Sequence, residues 1–412
     1  MVVQTVITNS IALATSVLIA IVLCLPRLRQ SFQWRATVTP LASIIGSGFL
    51  IIAPLLHSVM GKWALLGIVL LSILAYALGS VIRFNIRHAE PELASNQQSS
   101  IMTLEKASQW ALGAAYAISV AFYISLFAAF VFDRLSISDT TYIKLFTSGL
   151  LVIIMVVAWL RGARGLETIE LFAVTIKLAI IVGVLAALAT YDIQVQSAWF
   201  QHEAIQALSH FETVSMLAGM LMVTQGFETT RFMGNNYTPE QRIKASRYAQ
   251  WIAIFLYVVF IGLTCPIFLN FPITELNETT ISYTLGQAIW VLPILLLVAA
   301  TASQLSAALA DTIGGGGLLK ELFHLPISPQ FYYVLVIAIA GILVWSSNVF
   351  EIINLASKGF ALYYLIQTII VIKLVMRQST GQRIRSTKLL GLSVIVLCLF
   401  FVIGWSIPAP HS

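Results

Sequence analysis

The sequence predicts an all-α integral membrane protein with twelve transmembrane helices, ten of them arranged as two inverted five-helix repeats, and three observations carry that expectation. The composition is 59% hydrophobic and 10% charged, against about 25% charged residues in an average globular domain. Apolar stretches long enough for the roughly 30 Å hydrocarbon core lie at about 10–26, 38–60, 63–83, 108–132, 143–161, 168–190, 213–233, 248–270, 286–310, 331–346, 350–375 and 388–407, leaving no room for a soluble domain. Lys and Arg crowd into every second connection between them, so the net charge of +6 reports topology and not nucleic-acid binding.

Residues 1–10 carry no Lys or Arg, while Arg27, Arg29 and Arg35 follow the first apolar run, the reverse of a secretory signal. The first span is therefore expected to be a retained helix that enters from outside. The basic connections are then cytoplasmic: Arg83, Arg87 and Lys106; Arg161 and Arg164; Arg231, Arg242, Lys244 and Arg247; Lys320; and Arg377, Arg383, Arg385 and Lys388. The alternate connections hold only Lys62, Arg134 and Lys144, so both termini are expected outside a cell membrane, that of a bacterial inner membrane being the simplest setting. The polar 84–107 segment reads as a cytoplasmic surface loop with a short amphipathic helix, and Asn277-Glu278-Thr279 matches a glycosylation acceptor that is common by chance.

The second span carries Ile44-Ile45-Gly46-Ser47-Gly48-Phe49 at mid-membrane depth. Glycine is about 1 kcal/mol worse than alanine inside a helix, so two of them around a serine predict a break. Backbone freed in lipid survives only where it lines a cavity or binds a ligand. The alternative is that the glycines permit close helix packing. The seventh span repeats the anomaly at Met222-Val223-Thr224-Gln225-Gly226-Phe227-Glu228. Counting helices, each interruption opens a block of five spans, and the two blocks enter the membrane from opposite sides. That is the mark of an inverted-repeat secondary transporter. The organisation expected is an extra helix and loop over 1–35, repeats over 36–192 and 193–376, and a final helix over 377–412.

At Gly46-Ser47-Gly48-Phe49 and Gly226-Phe227-Glu228 the chain resembles the amino acid–polyamine–organocation transporter superfamily, whose first and sixth core helices break at such positions. The resemblance extends through the basic loop Asn235 to Arg247 with Thr238-Pro239, and to Lys177, where proton-coupled members carry a lysine in core helix 5. It covers roughly 36–375. Many members place an aromatic where this chain has Met222, and the run Gly314 to Gly317 after Asp311-Thr312 also departs from the family's pattern.

A half-helix starting after the first break would present the amides of Ser47, Gly48 and Phe49 to the membrane centre, a ready anion site. The resemblance implies that a substrate carboxylate docks there. It also implies that carbonyls around Ile44–Ile45 and Val223–Gln225 take an amine, which makes Ile44 to Phe49 with Met222, Thr224, Gln225, Gly226 and Phe227 the expected substrate site. Glu228 is a candidate proton site or a fixed structural cap. Lys177 lies about nine residues into its helix, where an intramembrane lysine is a functional candidate. The resemblance implies that it takes the place of a sodium ion, reaching carbonyls near Ser43–Gly46 and hydroxyls near Thr301, Ser303 or Ser306, with proton loss linked to the inner gate. Lys358 and Asp311 form either a buried pair or two independent water-facing groups. Tyr116, Phe122, Tyr123, Trp251 and Trp290 line the cavity or pack, a belt or core role being expected for the tryptophans.

The expected activity is therefore secondary transport of an amino acid or related small amine, proton-coupled, with sodium coupling or a transport-dead sensor as the alternatives. No resident cofactor or metal is expected. An intramembrane enzyme would need clustered catalytic groups, yet His57, His88, His202, His210, His324 and His411 fall mostly at span edges or in loops. Cys24, Cys265 and Cys398 are too scattered for a metal or disulfide motif.

Overall fold

A computed structural model describes residues 2–46, 48–95, 100–137, 139–195, 208–234, 237–273, 276–323, 328–377 and 382–409. Every regular element among them is helical: α1 (Val2–Cys24), α2 (Pro26–Arg29), α3 (Phe32–Ile44), α4 (Gly48–Met60), α5 (Ala64–Ser95), α6 (Ser100–Arg134), α7 (Thr140–Val195), α8 (His210–Gly219), α9 (Pro239–Asn270), α10 (Thr280–Ala288), α11 (Leu292–Phe323), α12 (Pro329–Ser346), α13 (Val349–Arg377) and α14 (Gln382–Trp405). Tighter 3₁₀ turns occupy Gly61–Trp63, Leu221–Thr224 and Phe227–Met233. Among the described residues nine helical segments are long and apolar enough to cross a membrane, and Gln330–Ser346 is a shorter apolar helix.

Local chemistry sets several of the starts. Ser209 accepts from the Glu212 amide while the Glu212 carboxylate accepts from the Ser209 amide, a capping box that opens α8. Thr238 and Gln241 do the same for α9, with Pro239 in its first turn, where a missing N–H costs nothing. Pro40, Pro54, Pro91 and Pro266 sit inside helices.

Packing separates a centre from a periphery. α6 lies against α11 and α13, α3 and α5 lie against α9, and α1 runs along α7. The apolar window of Ser100–Arg134 is 67% buried, against 22% for Val6–Cys24 and 17% for Gln382–Trp405, so α1 and α14 flank the bundle rather than form its core.

The structure departs from the sequence reading at four places. α5 and α6 extend through most of the 84–107 segment, leaving no room for a long loop there. Residues 143–161 and 168–190 fall within one helical stretch, α7, although Thr140–Leu160 and Phe172–Val195 remain separate apolar windows. Phe146 packs on Phe132 near the end of α6, and Gln194 accepts from Thr8 near the start of α1, which fixes the two ends of α7. The 213–233 span is a helix for only its first part, because the chain tightens into 3₁₀ turns at the break. The run Gly314 to Gly317 continues α11 as helix. A Cβ at Gly314 would lie 2.9 Å from the Tyr116 ring and one at Gly316 2.2 Å from the Tyr333 ring, so these glycines let α6 and α12 approach.

Candidate functional site

α3 stops at Ile44 and α4 resumes at Gly48, with Ile45 at φ −83°, ψ 43° between them. Ser47, expected at the centre of this site, lies outside the described residues. A helix end leaves its last carbonyls without partners, and inside a membrane no water replaces them. Here each one is accounted for. The Leu41 carbonyl accepts from the Ile45 amide (2.9 Å), Ser43 from the Gly46 amide (3.1 Å) and Gly46 from the Phe49 amide (3.4 Å). The remaining three are taken by side chains of other helices: Lys177 of α7 donates to Ala42 (2.6 Å), Tyr257 of α9 to Ile44 (3.0 Å) and Ser303 of α11 to Ile45 (3.3 Å).

The second interruption runs from Met220 to Phe227. Gly226 has φ +126°, a conformation open to glycine and strained for any other residue. Its amide donates to the Glu228 carboxylate (2.8 Å), which also accepts from the Tyr364 hydroxyl (2.7 Å). Ser357 of α13 donates to the Gly219 carbonyl (2.7 Å) and accepts from the Met222 amide (2.9 Å), bridging the end of α8 to the first turn after it. Thr224 and Thr229 donate to the carbonyls of Leu221 and Gly226.

The two interruptions meet. A Cβ on Gly226 would lie 2.6 Å from the Ile44 nitrogen, and one on Gly48 2.8 Å from the Val223 Cα, so both glycines are required for contact of backbone on backbone. The Tyr257 hydroxyl spans the junction, because it also lies 2.7 Å from the Val223 carbonyl. Beside it Phe49 stacks on Phe260 and tilts against Tyr257, with ring centroids 4.5 and 5.2 Å apart. A small cavity of about 10 Å³ lies at the junction, lined by Ser43, Ile44, Gly46, Gly48, Phe122, Tyr123, Met222 and Val223.

Most of the residues expected from sequence are brought together here: Ile44, Ile45, Gly46, Gly48, Phe49, Met222, Thr224, Gln225, Gly226 and Phe227 are all buried at the junction of the two breaks. Several details differ from expectation. The Phe49 amide is turned back onto Gly46 and so is not a free donor. Lys177, wholly buried, reaches the carbonyl of Ala42, one residue before the range expected. Ser303 reaches the break at Ile45, whereas Ser306 donates to Ser303 along its own helix and Thr301 to Leu297. Phe227 stacks on Tyr364, and Glu228 caps Gly226 from within a 3₁₀ turn and does not open an α-helical half. Trp251 and Trp290 are exposed on the outside of the bundle, as a belt requires, while Phe122 and Tyr123 line the cavity and Tyr116 packs on the α11 glycines. Asp311 is buried and Lys358 half-buried.

Sequence reasoning missed three parts of this region. Tyr257 and Ser357 are lone hydroxyls inside apolar helices, with no spacing signal to mark them. The third is a buried charge cluster on the face bearing the α5–α6 connection. Arg231, just past the second break, donates to Glu105 of α6 (3.1 Å) and to Gln367 of α13; Arg242 of α9 pairs with Glu90 of α5 (2.6 Å) and reaches the Arg231 carbonyl (3.1 Å). Gln367 also donates to Glu105 (3.0 Å) and Ser108 (2.8 Å), and accepts from Asn85 (2.6 Å). Removing one member of such a buried pair costs about 3–5 kcal/mol, so the cluster holds the segment after the second break firmly against α5, α6, α9 and α13.

Comparison with known proteins accords with this geometry. A family model described as APC superfamily transporter matches residues 26–404. A protein of Aquifex aeolicus (strain VF5), described as uncharacterized, is 42% identical over 367 residues, covering 88% of this chain and 89% of its own. Among solved structures, a variant of the Eremococcus coleocola manganese transporter is similar with a TM-score of 0.55 at 14% identity, over 90% of this chain and 87% of that one. The same transporter in complex with an aromatic bis-isothiourea substituted compound gives a TM-score of 0.53 at 15% identity, over 92% and 88%. The chain belongs to the APC superfamily of transporters, multi-pass membrane proteins that carry small-molecule substrates.

Proposed function

We propose that this chain is a secondary active transporter of amino acids or related small amines, coupled to protons and working by alternating access. The observation that carries this reading is the meeting of two helix interruptions, Gly226 against Ser43 and Ile44 and Gly48 against Val223, around a cavity in the middle of the bundle. Backbone amides and carbonyls gathered at one point suit a ligand that bears both a carboxylate and an amine. The cavity has room for a water-sized body only, so loading a substrate requires one bundle of helices to rock away from the other.

In this reading twelve crossings arise by taking α3 with α4, and α8 with its following turns, as one crossing each and α7 as two. The repeats are then 36–192 and 193–376, with both termini outside the cell membrane. No catalytic chemistry and no resident cofactor are involved. Lys177 is the coupling group: its ammonium on the Ala42 carbonyl ties α7 to the end of α3, and loss of a proton removes the charge that strengthens this tie. Glu228 serves as the fixed cap of the second break, spending one oxygen on Gly226 and Tyr364. A divalent-cation cargo would need carboxylate or imidazole ligands at the breaks, and Glu228 is the one carboxylate among the described residues there.

Uptake of labelled amino acids into proteoliposomes, driven in turn by an imposed pH gradient and a sodium gradient, tests the reading. Accumulation with the pH gradient alone, lost in Lys177→Ala, is the expected result. Accumulation that ignores pH but follows sodium and survives Lys177→Ala would establish the sodium-coupled alternative, and ligand binding without uptake would establish a sensor.

A further inference from the structure

The carboxyl of Asp192 stands out among the titratable groups that the breaks do not use. It lies about one turn before the end of α7, is 6% exposed, and neither of its oxygens has a hydrogen-bond partner among the described residues. Across from it, Cys265 of α9 is close enough to interact with it electrostatically. The Cys265 sulfur lies 3.9 Å from Nε2 of His57 on α4, and that nitrogen is 3.3 Å from the Thr264 hydroxyl. His57 is wholly buried, with its ring against Phe268. The corner sits at one end of the same α4–α9 seam whose other end is the Phe49, Phe260 and Tyr257 contact beside the breaks.

A carboxylate with no donor, buried in an apolar surround, costs several kcal/mol; it persists only when a proton or a cation neutralises it. The surroundings decide between them. α1 offers no acidic, basic or imidazole group from Val2 to Cys24, and α11 none from Leu292 up to Asp311. α9 brings Tyr257 and Cys265, α4 brings His57, and α7 itself brings Tyr191 and, about 22 Å further along at 1.5 Å per residue, Lys177. α6 contributes Asp133 and Arg134 at the same end, the former accepting from Thr279, while Tyr332 and Tyr333 of α12 lie at its opposite end. A sodium ion wants several oxygens around it, and the group that faces Asp192 from α9 is a thiol. Among the described residues no group of three His, Cys, Asp or Glu is placed to hold a metal ion.

We propose that Asp192 is a proton-binding site built into the α4–α7–α9 corner, and that loss of its proton admits water and loosens that corner. This gives the chain a second protonatable group, remote from Lys177, at the far end of the seam that leads to the breaks. Its use in coupling rests on the transport reading above; the site itself does not.

The test uses the full-length purified protein with Cys24→Ser and Cys398→Ser, which leaves Cys265 as the one thiol. N-ethylmaleimide labelling of Cys265 is measured across pH with Asp192 intact and in Asp192→Asn. Thiol reactivity rises with pH in both, so the quantity read is the ratio of the two rates. As the carboxyl ionises, opening of the corner to water should outweigh the hold of the new negative charge on the neighbouring thiolate, so the ratio should climb from near one at about pH 6 to roughly tenfold at about pH 9, and Asp192→Glu should keep the climb. A ratio that stays flat or falls across this range overturns the proposal. So does an Asp192→Asn protein that no longer folds, since it would show that the carboxylate has a partner it needs. Transport is not read in this experiment, so its failure and a failure of uptake are separate outcomes.

Discussion

The two helix interruptions solve the same physical problem in different ways. At the first, the carbonyls of Ala42 and Ile44 in α3 and of Ile45 just past it are satisfied by side chains of α7, α9 and α11, through Lys177, Tyr257 and Ser303. At the second, the chain largely satisfies itself, with Glu228, Thr224 and Thr229 bonding within a few residues and Ser357 and Tyr257 arriving from elsewhere. The first break is therefore tied to the positions of distant helices, and any movement of α7, α9 or α11 is felt in its backbone. The second is a preformed turn, and the Arg231 and Arg242 cluster beside it holds the segment that follows against α6 and α5.

If the second break is preformed, its conformation should be the least forgiving feature of the molecule. Gly226→Ala places a Cβ 2.6 Å from the Ile44 nitrogen on a residue at φ +126°. Strain and overpacking together are expected to cost at least about 3 kcal/mol, read as a fall in melting temperature or loss of folded protein in detergent. A variant with unchanged melting would mean that the two backbones are not in contact, and the comparison would fail at its root.

Tyr257→Phe removes one hydroxyl but touches both breaks, taking away the single proton that the Ile44 and Val223 carbonyls share inside the membrane. Stability should fall by about 1–3 kcal/mol with the ring packing on Phe49 kept. Ser357→Ala, confined to the second break, serves as the matched control within the same range. If uptake suffers much more from Tyr257→Phe than from Ser357→Ala at equal loss of stability, coupling runs through the first break as argued.

How far this site could be read from sequence follows from the same contrast. Gly46, Gly48 and Gly226 announce themselves, because glycine deep in an apolar run is a local anomaly. Lys177 does so as a charge in lipid, whereas Thr238-Pro239, expected within a basic loop running from Asn235 to Arg247, instead opens α9. Those signals were enough for a membrane bundle with two broken helices. Tyr257, Ser357 and the Arg231–Glu105–Gln367 cluster carry no such signal, since a hydroxyl within an apolar helix looks alike whether it caps a distant carbonyl or its own preceding turn. Their partners lie 34 to 213 residues away for Tyr257 alone. The lengths of α5 and α6 are not legible in the sequence, because polar residues at 84–107 look like a loop when nothing shows that Asn85, Glu90, Glu105 and Ser108 are the polar lining of a buried cluster.

The smallest expected effect is the sharpest probe of the first break. Ser303→Ala takes one donor, at 3.3 Å, from the Ile45 carbonyl and leaves the Lys177 and Tyr257 ties untouched. A long neutral hydrogen bond is worth about 0.5–1.5 kcal/mol, so stability should fall by no more than that. Ile45 is nonetheless the first residue past α3, and its ψ of 43° turns the chain out of the helix. Freed from α11, that turn should re-pair or rotate, and the cavity beside Gly46 should widen. Substrate affinity is therefore expected to fall more than stability does, by roughly tenfold for each 1.4 kcal/mol of lost preorganisation. Equal losses of stability and affinity would mean that Ser303 only packs, and that the first break is held by α7 and α9 alone.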